Sequence, residues 1–321
     1  MKNNFWKNKI VFVTGHEGFL GSNIAKALLN CGAKVVGLDK VKNRPISVLN
    51  NLRNGISCIK GNIVDLELVK NVIDKYKPEF IFHLAAEAIV GEALKNPTEA
   101  FRANIQGTWN VLEGCRGKKF IEAIVVASSD KAYGRHDRLP YKEDCALKGD
   151  HPYDASKSCA DLLSYTYFHT YGLPACVTRC GNIYGPGDFN FSRIVPDTIR
   201  SAIKNKPLFI RSDGKFVRDY IYVEDVVGGY IVLAEKIKKL KLYGEAFNFS
   251  NNKPISVLEL VEKIYKSAGK KPNYKILNKA KSEIRCQYLS SKKARKILGW
   301  EPKHGIEEGL KKTIEWYRAI F

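Results

Sequence analysis

Tyr153 and Lys157 stand four residues apart in His151-Pro152-Tyr153-Asp154-Ala155-Ser156-Lys157, a spacing that puts a phenol and an ammonium on one face of a helix. A lysine cation beside a phenol stabilises the phenolate and makes the tyrosine a usable base near neutral pH. Pro152 suits the first turn of a helix, and the residues that follow to Tyr171 are rich in helix formers. The chain holds 16 tyrosines, so the same spacing also fits a solvated helix face with a half-buried ring. A second cluster, Ser128-Ser129-Asp130-Lys131, follows the apolar run Ile124-Val125-Val126-Ala127. In an α/β sheet, reactive groups gather beyond the carboxyl ends of the strands. A hydroxyl, an acid and an amine at such an end could bind a substrate and move its protons. Taken alone, the segment would serve equally as a helix N-cap with a surface ion pair.

A third feature could supply a redox partner for such a base. The apolar run Ile10-Val11-Phe12-Val13 leads into Thr14-Gly15-His16-Glu17-Gly18-Phe19-Leu20-Gly21. A strand, a glycine turn and a helix in this order suit a dinucleotide. One glycine makes the turn, one lets the backbone approach the pyrophosphate, and one allows close helix–strand packing. The helix N-terminus offers free N–H groups and partial positive charge to phosphates. Asp39 ends the next apolar run, Lys34-Val35-Val36-Gly37-Leu38, about 20 residues beyond the glycines, where a carboxylate can bind ribose hydroxyls. Its charge favours NAD over NADP, although Lys40, Lys42 and Arg44 could attract a 2′-phosphate. Gly15, Gly18, Phe19, Leu20 and Asp39 are therefore candidate cofactor contacts.

These groups can meet only if the intervening elements bring them together. Strand-like runs at 9–14, 34–39, 56–60, 79–84, 122–128 and 175–180, with a seventh at 245–249, alternate with helical stretches. The alternation predicts βαβ units: a doubly wound, parallel α/β sheet with helices on both faces. The expected division is a dinucleotide-binding domain over 1–181 and a smaller α/β substrate lobe over 182–321, with a return to the sheet within 216–249. The 184–188 stretch, rich in Pro and Gly, is the hinge candidate.

At 321 residues and 45% hydrophobic, the chain can bury a full core. No apolar run reaches the length of a membrane span, and the basic start leads into a short strand rather than a secretory signal. The eight cysteines show no C-x-x-C pairing or partnered histidines, which predicts reduced thiols, no metal site and a cytoplasmic protein. The net charge of +20, from 53 basic and 33 acidic residues, raises nucleic-acid binding as a second class. Yet the lysine-rich stretches 235–241, 266–281 and 292–296 are interleaved with periodic apolar residues, as on solvated amphipathic helices. A general positive field would equally draw an anionic sugar diphosphate. No nucleic-acid partner is expected.

Together these motifs resemble the extended short-chain dehydrogenase/reductase family, the nucleotide-sugar epimerases and dehydratases, over nearly the whole chain. The resemblance extends to His83-Leu84-Ala85-Ala86, Asn62-Ile63, Asn104-Ile105-Gln106-Gly107-Thr108, the 179–187 stretch, the 218–226 stretch and Leu298-Gly299-Trp300-Glu301-Pro302. It implies a Rossmann domain. It adds Asn62, Ile63, Leu84, Ala85, Ala86 and Asn104 to the NAD site, with Tyr153 and Lys157 beside the nicotinamide ribose. It also implies Asn182, Arg193, Arg218 and Arg285 as contacts of a nucleotide-diphosphate sugar, and a homodimer built on helices around 98–115 and 153–171. Phe5-Trp6-Lys7-Asn8-Lys9, Asp130-Lys131 and Arg193-Ile194-Val195-Pro196-Asp197 look most like the CDP-glucose 4,6-dehydratases. Val217-Arg218-Asp219-Tyr220 has the general family form, and the 135–141 loop looks shorter than that subgroup's. By this resemblance Ser129, Asp130, Lys131, Tyr153 and Lys157 are catalytic, with Asp130 the acid at the sugar 6-hydroxyl and Lys131 where many dehydratases carry a glutamate base. The implied reaction is 4,6-dehydration, with 4-epimerisation as the alternative and a non-catalytic NAD-binding module as a distant third.

Overall fold

Alternate residues of the apolar runs go to opposite faces, and the computed structural model shows both faces covered. It describes residues 4–280 and 283–321; Lys281, the end of the lysine-rich 266–281 stretch, and the first three residues of the basic N-terminal start lie outside them. The strands are β1 (Ile10–Thr14), β2 (Lys34–Asp39), β3 (Ile56–Lys60), β4 (Phe80–His83), β5 (Ala123–Ala127) and β6 (Ala175–Cys180), plus a seventh, Ala246–Phe249. They form one sheet in the order Ala246–Phe249, β6, β5, β4, β1, β2, β3, parallel throughout. Val11, Val13, Phe80, Phe82 and Val125 enter one apolar cluster. Phe12, Ile81, Ile124 and Val126 enter the other. This is the period-2 pleat read on both sides, and it explains why these strands are continuously hydrophobic.

The sheet borders match the sequence expectation to within about a residue, the usual scatter of element ends. Strand order reverses between β1 and β4, which opens a crevice at their carboxyl ends. The stretch expected near 98–115 is not one regular helix. It runs as Pro97–Phe101, a wider π-helical turn Arg102–Gln106, and Gly107–Cys115. Such bulges commonly accompany functional sites.

Within 216–249 only Ala246–Phe249 joins the large sheet. Val217–Arg218 pairs with Ile255–Ser256 and Cys286–Gln287, and Tyr220–Tyr222 pairs with Asn182–Tyr184. Between them and the edge strand, the helix Val223–Leu240 packs on the sheet. Its Val226, Tyr230 and Leu233 share a continuous core with Val11, Phe82, Ile199, Leu260 and Tyr317. Among the described residues the C-terminal lobe therefore packs most of its apolar side chains into the same core as the sheet, with Leu289 in a small cluster beside Tyr133 and Tyr141. Among the described residues no helix is long and apolar enough to cross a membrane.

Candidate active site

The crevice is a cleft of about 1000 Å³ that runs from the glycine turn to the C-terminal lobe. Its floor is a backbone device. Gly15 has φ +73°, and a Cβ there would fall 2.8 Å from the Ala85 nitrogen. A Cβ on Gly21 would lie 2.0 Å from the Gly15 carbonyl oxygen, so β1 and the helix Phe19–Asn30 touch through bare backbone. Gly18 is the N-cap of that helix and makes no side-chain cap bond. The first turn, Gly18 to Leu20, thereby stands at the cleft without a side-chain cap, where an anion could satisfy its N–H groups. Gly15, Gly18, Phe19, Leu20, Asp39, Ile63, Leu84, Ala85 and Ala86 all line it.

Thr14, which the motif reading did not single out, holds the turn against β4. Its Oγ1 accepts the N–H groups of Leu84 (3.1 Å) and Ala85 (3.2 Å). It also meets His83 Nδ1 at 2.8 Å, while His83 Nε2 meets the Thr108 hydroxyl at 3.0 Å. Full burial, reinforced by the Lys157 cation, drives the His83 pKa down to about 3, so this ring stays neutral and structural.

Asp39 accepts the Glu17 N–H through Oδ2 and the Val41 N–H through Oδ1, each at 3.0 Å. Buried Glu17 in turn takes the Asn43 and Arg44 N–H groups and an ion pair from Arg53 at 3.2 Å. Two carboxylates thus fix the loop after β2. Of the downstream cations, Lys40 pairs with Glu99 at 3.1 Å and Arg44 lines the cleft.

Two of the implied cofactor residues stand behind the wall. Asn62 is absent from the lining and accepts the Val64 N–H at 3.2 Å, shaping the turn into the helix Leu66–Tyr76. Asn104, buried in the π-helical turn, accepts the Glu87 N–H (2.7 Å) and donates to Ser156 Oγ (2.8 Å). Its contacts tie the Glu87 loop to the helix Pro152–Tyr171 rather than reaching the cleft.

Ser129, Asp130, Lys131, Tyr153 and Lys157 converge on one stretch of the lining, delivered by the end of β5 and the first turns of Pro152–Tyr171. Lys157 Nζ donates to the Ala127 carbonyl at 2.8 Å, and burial lowers its pKa to about 8. Enclosure pushes the Tyr153 phenol up to about 12, against the Arg193 cation and a hydrogen bond with Ser129. The lowering expected from the Tyr153–Lys157 spacing is not seen, because Lys157 Nζ is turned onto the Ala127 carbonyl. Asp130 is buried and raised above the usual carboxylate range, because the Lys131 and Arg218 cations do not offset its desolvation. Its Oδ1 takes the Ser129 hydroxyl at 3.2 Å, and its Oδ2 has no hydrogen-bond partner among the described residues. Such a carboxyl holds its proton to higher pH than an exposed one would and can act as an acid.

Two further members escaped the motif reading. Asp154, buried beside Tyr153, has Oδ2 3.3 Å from His151 Nδ1, and its Oδ1 has no hydrogen-bond partner among the described residues. Gln287, fully buried, lines the cleft from the other lobe and bonds both Asp130 and Lys131. A glutamine in a short strand far along the chain carries no local signal.

The implied diphosphate contacts separate. Asn182, Arg193 and Arg218 line the cleft. Arg193 pairs with buried Asp188 at 3.1 Å. Arg218 is buried, with one guanidinium nitrogen on the Val217 and Arg285 carbonyls. Asn182 Nδ2 is buried and has no hydrogen-bond partner among the described residues. Arg285 is not brought to the lining: its side chain is 80% exposed and lies 3.4 Å from Asp213.

Comparison with known proteins extends this picture. Residues 12–313 match the family model described as GDP-mannose 4,6 dehydratase. The CDP-glucose 4,6-dehydratase of Salmonella typhimurium is 31% identical over 98% of this chain and 92% of its own length. The UDP-glucuronate 4-epimerase of Thermodesulfobacterium geofontis is 35% identical over 95% of this chain and 94% of its own. The crystal structure of dTDP-glucose 4,6-dehydratase from Bacillus anthracis in complex with NAD superposes with a TM-score of 0.84 at 29% identity, covering 97% of each chain. With this cleft, this sheet order and a match over most of its length, the chain belongs to the GDP-mannose 4,6-dehydratase family of nucleotide-sugar dehydratases and epimerases, within the extended short-chain dehydrogenase/reductase fold.

Proposed function

We propose that this chain is an NAD-dependent 4,6-dehydratase of a nucleotide-diphosphate hexose, of the CDP-glucose type. The observation that carries the reading is Asp130 and Lys131 beside Ser129 and Tyr153 in one cleft. Oxidation at carbon 4 asks for one base and one hydrogen-bonding hydroxyl; removal of water across carbons 5 and 6 asks for a second base and an acid as well.

The bare-backbone turn of Gly15, Gly18 and Gly21 and the uncapped helix start fit a dinucleotide pyrophosphate. Bound NAD would accept a hydride from carbon 4 and return it to carbon 6. Phe19, Leu20, Ile63, Leu84, Ala85 and Ala86 would wall the dinucleotide, and Asp39 would meet the adenosine ribose. Asn62 and Asn104 would serve that site from behind. In the sugar pocket Tyr153 takes the 4-hydroxyl proton, with Ser129 holding that oxygen and Lys157 beside the ribose. Lys131 removes the proton on carbon 5, acidic once carbon 4 is a ketone, and Asp130 protonates the departing 6-hydroxyl. Arg193, Arg218 and Asn182 would grip the diphosphate, with Arg285 at the rim. As hydride reaches carbon 6, Lys131 gives the proton back to carbon 5, and the product is a 4-keto-6-deoxyhexose on its nucleotide.

A 4-epimerase is the second reading, favoured by the likeness to the UDP-glucuronate 4-epimerase. It would use Tyr153 and Ser129 alone and leave Asp130 and Lys131 as a turn ion pair. Incubation with a panel of nucleotide hexoses separates the two by mass. Loss of one water with a single substrate is expected; turnover without a mass change would establish the epimerase, and refusal of every substrate with NAD bound would leave a binding module. The chain is further proposed to act as a homodimer in the cytoplasm, where its cysteines, all free, would stay reduced.

A further inference from the structure

We propose that Gln287 is the positioning residue that holds Lys131 and Asp130 in register for the removal of water. The inference rests on the dehydratase reading and adds to it a residue from the opposite lobe. Gln287 Nε2 donates to the Asp130 backbone carbonyl at 3.1 Å, and its Oε1 accepts from Lys131 Nζ. The orientation of the amide is fixed by chemistry. A carbonyl can only accept and an ammonium can only donate, so the reverse orientation would break both bonds at once.

Gln287 ends the strand Cys286–Gln287, in parallel register with Arg218, the buried arginine on the cleft wall. The other side of the same turn is held by Ser129, whose Oγ accepts the Lys131 N–H at 3.2 Å. The segment carrying both the acid and the base is thus clamped between β5 and the strand pair that presents Arg218.

The amide suits a lysine base better than a carboxylate would. Its oxygen accepts one N–H from the side chain whether Lys131 is ammonium or neutral amine. In the neutral form the lone pair is therefore left for the cleft. The lone pair takes the carbon-5 proton, and the C–H electrons become the carbon 5–6 double bond. The 6-hydroxyl leaves as water with the proton from Asp130. A glutamate at 287 would instead form an ion pair and hold Lys131 protonated. The other charges around the lysine are Asp130 in the same turn, Asp154 on the helix Pro152–Tyr171, and Arg218, which acts on Asp130.

The test compares wild type, Gln287→Met and Gln287→Glu on the hexose substrate that loses water. Wild-type water loss is the control for the underlying reading; its absence overturns that reading, and the inference with it. Given wild-type water loss, Gln287→Met should lower kcat about 10- to 100-fold, the scale of a misplaced acid–base group, with KM within about twofold. The isotope effect from deuterium at carbon 5 should rise, since proton removal becomes the slow step. Gln287→Glu, nearly the same size, should move the acid limb of the kcat profile up by about one to three pH units, the range for an opposite charge at contact. NAD binding by calorimetry and the melting temperature report folding independently. If both folded variants keep the wild-type isotope effect and pH profile, the positioning role is excluded.

Discussion

Lys157 carries an amine into a site where a charge is poorly solvated, and that has a sign that can be measured. Its folded pKa of about 8 lies below the ordinary value of 10.5. The buried charge therefore destabilises the fold fully below pH 8, less between pH 8 and 10.5, and not at all above. The difference corresponds to on the order of 3 kcal/mol. Lys157→Met should abolish turnover. Its stability relative to wild type, from denaturant melts, should be greatest near neutral pH and decline as pH rises from 8 to 10.5. A pH-independent difference would contradict the assignment. Arg218→Ala should act on binding instead: KM up by roughly tenfold or more with modest loss of kcat, as for a group held equally in ground and transition states.

At the scale of elements, the contact between β1 and the helix Phe19–Asn30 admits no side chain. Gly21→Ala would set a methyl against the Gly15 carbonyl. It should cost about 1–3 kcal/mol as an overpacking change and weaken dinucleotide affinity, both readable by melting with and without NAD. The helix Pro152–Tyr171 is tied down differently. Arg179 forks onto Asp161 at 2.9 and 2.7 Å and reaches the Tyr133 hydroxyl at 2.8 Å. Arg179→Leu would leave Asp161 buried and unpaired one turn beyond Lys157, with an expected loss of about 3–5 kcal/mol in chemical unfolding.

What was legible beforehand divides along the same line. The central strands β1, β4 and β5, buried on both faces, are apolar almost without interruption and the flanking ones are apolar-rich runs of similar length, so all seven stood out. The glycine turn and the Tyr153–Lys157 spacing are local enough to be read in one window. Gln287, Asp154 and Thr14 were not legible, because their meaning comes from partners on other elements. That Arg285 stands outside the lining, its side chain turned toward Asp213, was not legible for a related reason: sequence shows that an arginine is there, not which way it leaves the chain ahead of a short strand.

For the whole molecule, the exposed apolar residues Trp109 (51%), Leu162 (58%) and Tyr165 (53%) lie on the helices Gly107–Cys115 and Pro152–Tyr171. Apolar surface gathered on neighbouring helices suits a self-complementary contact between two copies. Light scattering at micromolar concentration should give twice the chain mass. Leu162→Glu with Trp109→Glu should halve it while leaving the monomer folded. The shared core also constrains how such proteins diversify. Since Val223–Leu240 packs the lobe into the same cluster as β1 and β4, a substrate lobe transplanted from a relative would meet a mismatched interior. New sugar preferences should therefore arise in this lineage by substitutions along the cleft wall, and chimeras joined near residue 182 should misfold more often than point variants of Asn182 or Arg193.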